Sequence, residues 1–146
     1  MSTQWRPPQF VRALAIGVIR RGPELLVAAV PDDSGAVKGW RPLGGSIEFG
    51  ERAAEALARE LFEEVGEAIT EPRLLAVIEN LYEHHGARGH DIAMVFDTGF
   101  ARAEAYRREV FEYRDGGVDC QARWVDIGRF RGGEQQLFPA GLLDRL

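Results

Sequence analysis

The chain has 146 residues, 45% of them hydrophobic and 28% charged, with a formal net charge of -5. This length suits one domain with a genuine core, and the acidic balance argues against stable nucleic-acid binding, which calls for a basic face. One cysteine, Cys120, excludes an internal disulfide, and neither an apolar leader nor a membrane-length apolar run is evident, so a cytoplasmic protein without a membrane partner is expected.

Residues 1–9 read as an extended N-terminal arm, because Pro7 and Pro8 favour extended backbone. Trp5 within it serves either as a docking anchor or as part of a substrate wall. Phe10–Arg20 and Glu24–Val30 are apolar runs separated by Arg21-Gly22-Pro23, which predicts two strands with a short connection. Pro31–Gly39 reads as a loop. Gly44 and Gly45 then precede a short loop and a helix running from near Arg52 to Gly66. Beyond Pro72, Arg73–Tyr82 predicts a strand, His84–Gly89 a connecting loop, and His90–Phe100 a second strand with Ile92, Met94 and Phe96 alternating on one face. Val110–Arg114 and Val118–Trp124 flank Asp115-Gly116-Gly117, a hairpin signal. In the second arm Val118, Cys120, Ala122 and Trp124 alternate with Asp119, Gln121 and Arg123, so one face is buried and one is wet. Phe138–Leu146 suggests a short closing helix. Many strands around one strong helix predict a layered α/β domain with a mixed sheet, over residues 1–146.

The charge is concentrated. Glu51 to Glu67 holds six Glu and two Arg, a net of -4 out of the total of -5. At about 100° per residue, Ala54, Leu57, Ala58, Leu61 and Val65 share the face that packs on the sheet, and Glu60, Glu63 and Glu64 fall within roughly 100° of arc beside it. Glu60 and Glu64 are a like-charge i,i+4 pair, and Glu63 and Glu64 lie in the last turn, where the helix dipole disfavours negative charge. Two local rules broken in one place suggest a site. A solvated acidic face is the competing reading and accounts for the run equally well.

Clustered carboxylates suit a hard cation such as Mg2+, which keeps waters and binds substrate phosphates. Such a cation would let a polyanionic substrate approach this acidic segment. Arg59 either orients one carboxylate or pairs with Glu55. Gly44 and Gly45 leave room for close approach to the backbone. Arg41 is a candidate phosphate contact or a solvated loop arginine, and Trp40 either stacks a base or packs at a strand end. His84, His85 and His90 lack zinc spacing, and Asp91 is a weak candidate to face the site.

Gly45, five residues, Glu51, seven residues, then Arg59-Glu60-Leu61-Phe62-Glu63-Glu64-Val65-Gly66 resembles the Nudix box, the signature of the Nudix (MutT-like) hydrolase family. Trp40 and Trp124 also resemble common family positions. The resemblance implies an α/β/α sandwich and Mg2+-dependent hydrolysis of a nucleoside diphosphate linked to another moiety, X, with Mn2+ able to substitute. It implies Glu60, Glu63 and Glu64 as metal ligands, a Gly45 backbone carbonyl to the metal, a ligand or supporting role for Glu51, and Arg59 as the residue that orients the carboxylates. It further implies an extra acidic base or ligand, for which Glu109, Glu112 and Asp119 are candidates. Two positions depart from the pattern: proline is displaced by one in Pro42-Leu43-Gly44-Gly45, and Glu67 follows the closing glycine where an apolar residue is usual, with Ile69 a candidate to take over its packing. A catalytically silent nucleotide-sensing module is the alternative function. A homodimer through the first strand, the arm or the 109–124 hairpin stays open.

Overall fold

The structure is a computed structural model that describes residues 4–146. Its strands are β1 (Val11–Arg21), β2 (Glu24–Pro31), β3 (Val37–Ser46), β4 (Arg73–His84), β5 (Ala87–Thr98), β6 (Val110–Asp115) and β7 (Val118–Asp126); its helices are α1 (Ala53–Val65) and α2 (Ile127–Arg131). The strands form one mixed sheet in the order β4-β5-β1-β3-β2-β7-β6. Only β1 and β5 run parallel, over Val11–Ile19.

The arrangement is an α/β sandwich with two cores. On one face α1 sets Leu57, Leu61 and Val65 against Ala15, Leu26, Leu43, Phe96, Phe111 and Trp124. Burying each large aliphatic side chain contributes about 1.5–3 kcal/mol, so this face holds α1 in place. On the other face Val18, Val27, Ala93 and Val95 meet Phe130 of α2 together with Leu137 and Leu142. No helix among the described residues is long and apolar enough to cross a membrane.

Several sequence expectations change. β1 and β2 do meet at a tight turn, but they pair only at Arg20–Leu25 and Arg21–Glu24. β3 inserts between them, pairing with β1 through Leu43–Ser46 and with β2 through Val37–Pro42. The loop expected at Pro31–Gly39 therefore shrinks to residues 32–36, and the glycine pair lies within a strand. The loop expected at His84–Gly89 is a tight turn at His85 and Gly86, because β4 and β5 continue their ladder as far as His84–Ala87. The second helix is α2, capped by the Asp126 side chain accepting from the Gly128 amide, whereas the tail adds only a 3-10 turn at Leu143–Arg145. On β5 both faces are covered: Ala93 and Val95 are buried on the side opposite Met94 and Phe96. In the arm, Trp5 packs on the Arg12 guanidinium at 4.9 Å and on His84 at 5.8 Å, the contacts of an anchor.

Candidate active site

α1 has no side-chain N-cap and takes its stability from its packed face. It ends where Gly66 adopts φ 73 and donates its amide to the Phe62 carbonyl, a left-handed cap that glycine adopts without strain. The buried residues are Ala56, Leu57, Leu61, Glu64 and Val65. Ala58, expected in the core, is exposed. Ala56 replaces it because the core face is rotated toward the acidic flank. That rotation draws Glu64 into the core, where it is 8% exposed.

Both carboxylate oxygens of Glu64 are buried and neither finds a hydrogen-bond partner among the described residues. Burial pushes its pKa up to about 8, against the nearby positive charge of Arg41, while Asp115 and Glu60 add to the rise. Glu60, one turn earlier, is also raised, first by burial and against its bond to Arg59. Glu63 is more exposed, at 58% of its side chain.

Arg59 organises the flank. Its Nε donates to Glu51 Oε2 at 2.7 Å and its Nη2 to Glu51 Oε1 at 3.0 Å, while Nη1 reaches Glu60 at 3.0 Å and Glu63 at 3.3 Å. Nη2 also donates to the Ser46 carbonyl at 3.1 Å, tying the helix to the end of β3. Arg59 thus faces the carboxylates, and Glu55 pairs instead with Arg52 at 3.8 Å. Glu51 additionally accepts from the Glu48 amide at 3.1 Å. Held by Arg59, its pKa falls to about 2. With both oxygens engaged, Glu51 stands behind the guanidinium as a support.

The glycine pair divides its work. A Cβ on Gly45 would lie 2.5 Å from Glu60 Cδ, so only glycine lets this carboxylate sit against the strand. Gly44 has φ 146, and a Cβ there would overlap the Ala15 carbonyl oxygen of β1. Gly44 is therefore required by the close packing of β3 on β1. Trp40 packs against the second core, the strand-end packing reading, and its Nε1 donates to Gln135 Oε1 at 2.9 Å.

Among the described residues, no three His, Cys, Asp or Glu side chains converge closely enough as they stand to cage a metal ion. Arg59 accounts for this, since it draws Glu60 and Glu63 onto its own guanidinium. The donor set nevertheless fits a hard cation. Oxygen donors are clustered, Glu64 carries two buried oxygens that nothing among the described residues satisfies, and half-buried Gly45 lies directly against Glu60.

The remaining candidates divide by strand parity. Arg41 lies toward Glu64, Tyr113, Cys120 and Asp115, all of which act on its charge. Glu109 pairs with Arg21 at 2.9 Å. Asp119 pairs with Arg114 at 3.1 Å and stands on the outer face of its hairpin, as does Glu112, which alternates with buried Phe111 and Tyr113. Asp91 pairs with Arg12 at 3.0 Å, in step with Ala93 and Val95 on the face away from α1. None of these four reaches the carboxylate patch. The acid that faces it is Asp115, which shares the parity of Tyr113, lies 3.9 Å from Arg41, and raises both Glu60 and Glu64. Its signal was the alternation along β6, obscured because Asp-Gly-Gly reads first as a turn.

The two departures from the box are explained by packing. Leu43 is fully buried beneath α1. Glu67 is 4% exposed and accepts from the exposed Arg102 at 2.6 Å and 3.2 Å, so an ion pair at the surface edge replaces the usual apolar contact while Ile69 packs against the core.

A buried, unsatisfied carboxylate, a guanidinium-braced acidic flank and a glycine that admits one carboxylate to a strand thus sit together on one face of an α/β sandwich. The family model described as NUDIX domain matches residues 11–140, and the chain belongs to that family. It is 36% identical over 126 residues to the octanoyltransferase of Myxococcus xanthus, covering 82% of this chain and 32% of that protein. It is 39% identical over 59 residues to the nucleoside triphosphatase NudI of Escherichia coli, covering 40% of this chain and 42% of that one. The chain thus spans less than half the length of these relatives. The solved NUDIX hydrolase from Nitrosomonas europaea shares the fold, with a TM-score of 0.65 at 18% identity, covering 92% of this chain and 85% of that chain.

Proposed function

We propose that this protein is a Nudix pyrophosphohydrolase that cleaves, with Mg2+, a pyrophosphate bond in a nucleoside diphosphate linked to another moiety. The observation that carries this reading is Glu64, whose two buried oxygens lack any partner beside Glu60 and Glu63. A fold tolerates such a group poorly unless something binds it. Glu60, Glu63 and Glu64 would hold the cation, with the Gly45 carbonyl beside them. When bound, a divalent cation neutralises phosphate oxygens and makes a coordinated water more acidic.

The chain's own groups do the rest. Arg59, braced by Glu51, holds Glu60 and Glu63 on one side of the helix, where they would be oriented to ligate the cation. Arg41 is the cation turned toward this face without a short carboxylate partner, so its donors are available to substrate phosphate. Asp115 stands where it can accept a proton or steer a water. The intact carboxylate set supports an enzyme over a silent sensing module.

The test is a panel of nucleoside triphosphates, nucleotide sugars, ADP-ribose and dinucleoside polyphosphates, each with Mg2+ and with Mn2+, with products resolved chromatographically. Turnover of at least one compound, abolished by EDTA, is expected. Tight nucleotide binding without turnover in either metal would instead make the protein a sensing module.

A further inference from the structure

β4 is an outer edge of the sheet, and its twelve residues include neither proline nor lysine. Its ladder with β5 fixes which side chains share a face. Leu74 stands opposite Phe96, Val77 opposite Met94, and Leu81 opposite His90. Phe96 and Met94 belong to the core beneath α1, so these residues point to the α1 side of the sheet. Val11 of β1 also stands beside His90 on that side. Phe10 reaches the same place: with Val11, Leu81 and His90 it lines an open hollow of about 320 Å³. α1 leaves all five apolar side chains uncovered. Phe10 is 67% exposed, Leu81 63%, and Val11, Leu74 and Val77 each about half. Half of the ten large apolar side chains exposed among the described residues thus gather at one corner of one sheet face. Scattered exposed apolar residues need no explanation, but a gathered set along a long sheet edge does.

Two features point to a second copy of the chain as the cover. The first is area. Together the five side chains expose on the order of 500 Å², well over half of the roughly 800 Å² that each partner of a stable complex buries. The second is charge. Glu79 pairs with His90 at 3.0 Å on this face, and Glu83 stands across the ladder from Arg88. Both signs therefore border the apolar patch. A partner of one charge would leave one sign unmatched, whereas a copy turned by 180° brings acid to base and base to acid together.

We propose that this corner, formed by Phe10 and Val11 with Leu74, Val77 and Leu81 of β4, is the two-fold interface of a homodimer. It joins the end of the arm to the first strand, two of the surfaces the sequence left open, and adds the β4 edge. The 109–124 hairpin stays free, since Val110 is its single large apolar side chain exposed among the described residues. The proposal does not rest on the hydrolase reading above.

The test is sedimentation velocity over a concentration series reaching about 100 μM, where a complex of micromolar affinity is fully formed. The parent should sediment at twice the chain mass. Phe10→Glu and Leu81→Glu should each weaken self-association roughly 30-fold or more, the effect of losing a central interface residue. Both should keep the circular dichroism of the parent, because these side chains face solvent in the single chain. Val110→Glu should remain dimeric. A parent that stays monomeric at the highest concentration would overturn the proposal, as would two folded patch variants that dimerise like the parent. Dissociation by Val110→Glu alone would move the interface to the hairpin and equally overturn it.

Discussion

Substituting Glu64→Gln should stabilise the metal-free protein at neutral pH while destroying its activity. The folded-state pKa of Glu64 is about 8 against an ordinary 4.5, chiefly through burial. The native state thus retains a proton that the unfolded chain releases, and stability is lost as pH rises from about 4.5 toward 8. At pH 7 the gap is about 2.5 pH units, which corresponds to about 3 kcal/mol. For a chain of this size each kcal/mol moves the melting temperature by about 2–4 °C, so removing the cost of taking up that proton should raise it by about 6–12 °C. At pH 5 the same arithmetic leaves under about 1 kcal/mol, and the advantage of the variant should nearly vanish. Thermal melts of both proteins in EDTA at pH 5 and pH 7 measure this directly. Adding Mg2+ at pH 7 should then stabilise the parent and not the variant. A variant whose advantage is the same at both pH values would refute the claim that Glu64 carries a burial penalty which a cation relieves.

Three further substitutions separate the roles of neighbouring residues. Arg59→Lys keeps the charge and loses the two-pronged grip on Glu51, so turnover should fall on the order of 10–100-fold with the fold intact by circular dichroism. Gly45→Ala places a methyl group against the Glu60 carboxylate, and the displaced side chain should cost on the order of 100-fold in kcat/KM, whereas full activity would show that Glu60 need not lie against β3. Trp40→Ala should lower stability by about 2–4 kcal/mol in denaturant titrations and leave KM unchanged, since Trp40 packs on the face away from the carboxylates.

What could be read from the chain depended on whether a local pattern or a distant contact decided the outcome. α1 was legible because its apolar residues recur at helical spacing and Gly66 closes it. β3 was not, because Val-Lys-Gly-Trp-Arg-Pro-Leu-Gly-Gly-Ser has the composition of a turn, and only pairing on both sides with β1 and β2 makes it a strand. α2 is five residues long with a glycine inside, too short for periodicity to register. Within the site, the grouping of Glu60, Glu63 and Glu64 followed from helix geometry. The burial of Glu64 did not, because it depends on the rotation that swaps Ala58 for Ala56. Asp115 and Arg41 meet across a sheet from positions more than 70 residues apart in sequence, and no local signal could have paired them. The Glu67–Arg102 pair was hidden for the same reason.

The decisive experiment is a Mn2+ titration followed by electron paramagnetic resonance on the parent and on single Glu→Gln variants. Glu60→Gln, Glu63→Gln and Glu64→Gln should each weaken Mn2+ binding at least tenfold, while Glu109→Gln and Glu112→Gln, which stand away from the patch, should bind like the parent. Parent-like affinity in all three of the first set would mean that the acidic flank of α1 is a solvated surface and not a metal site.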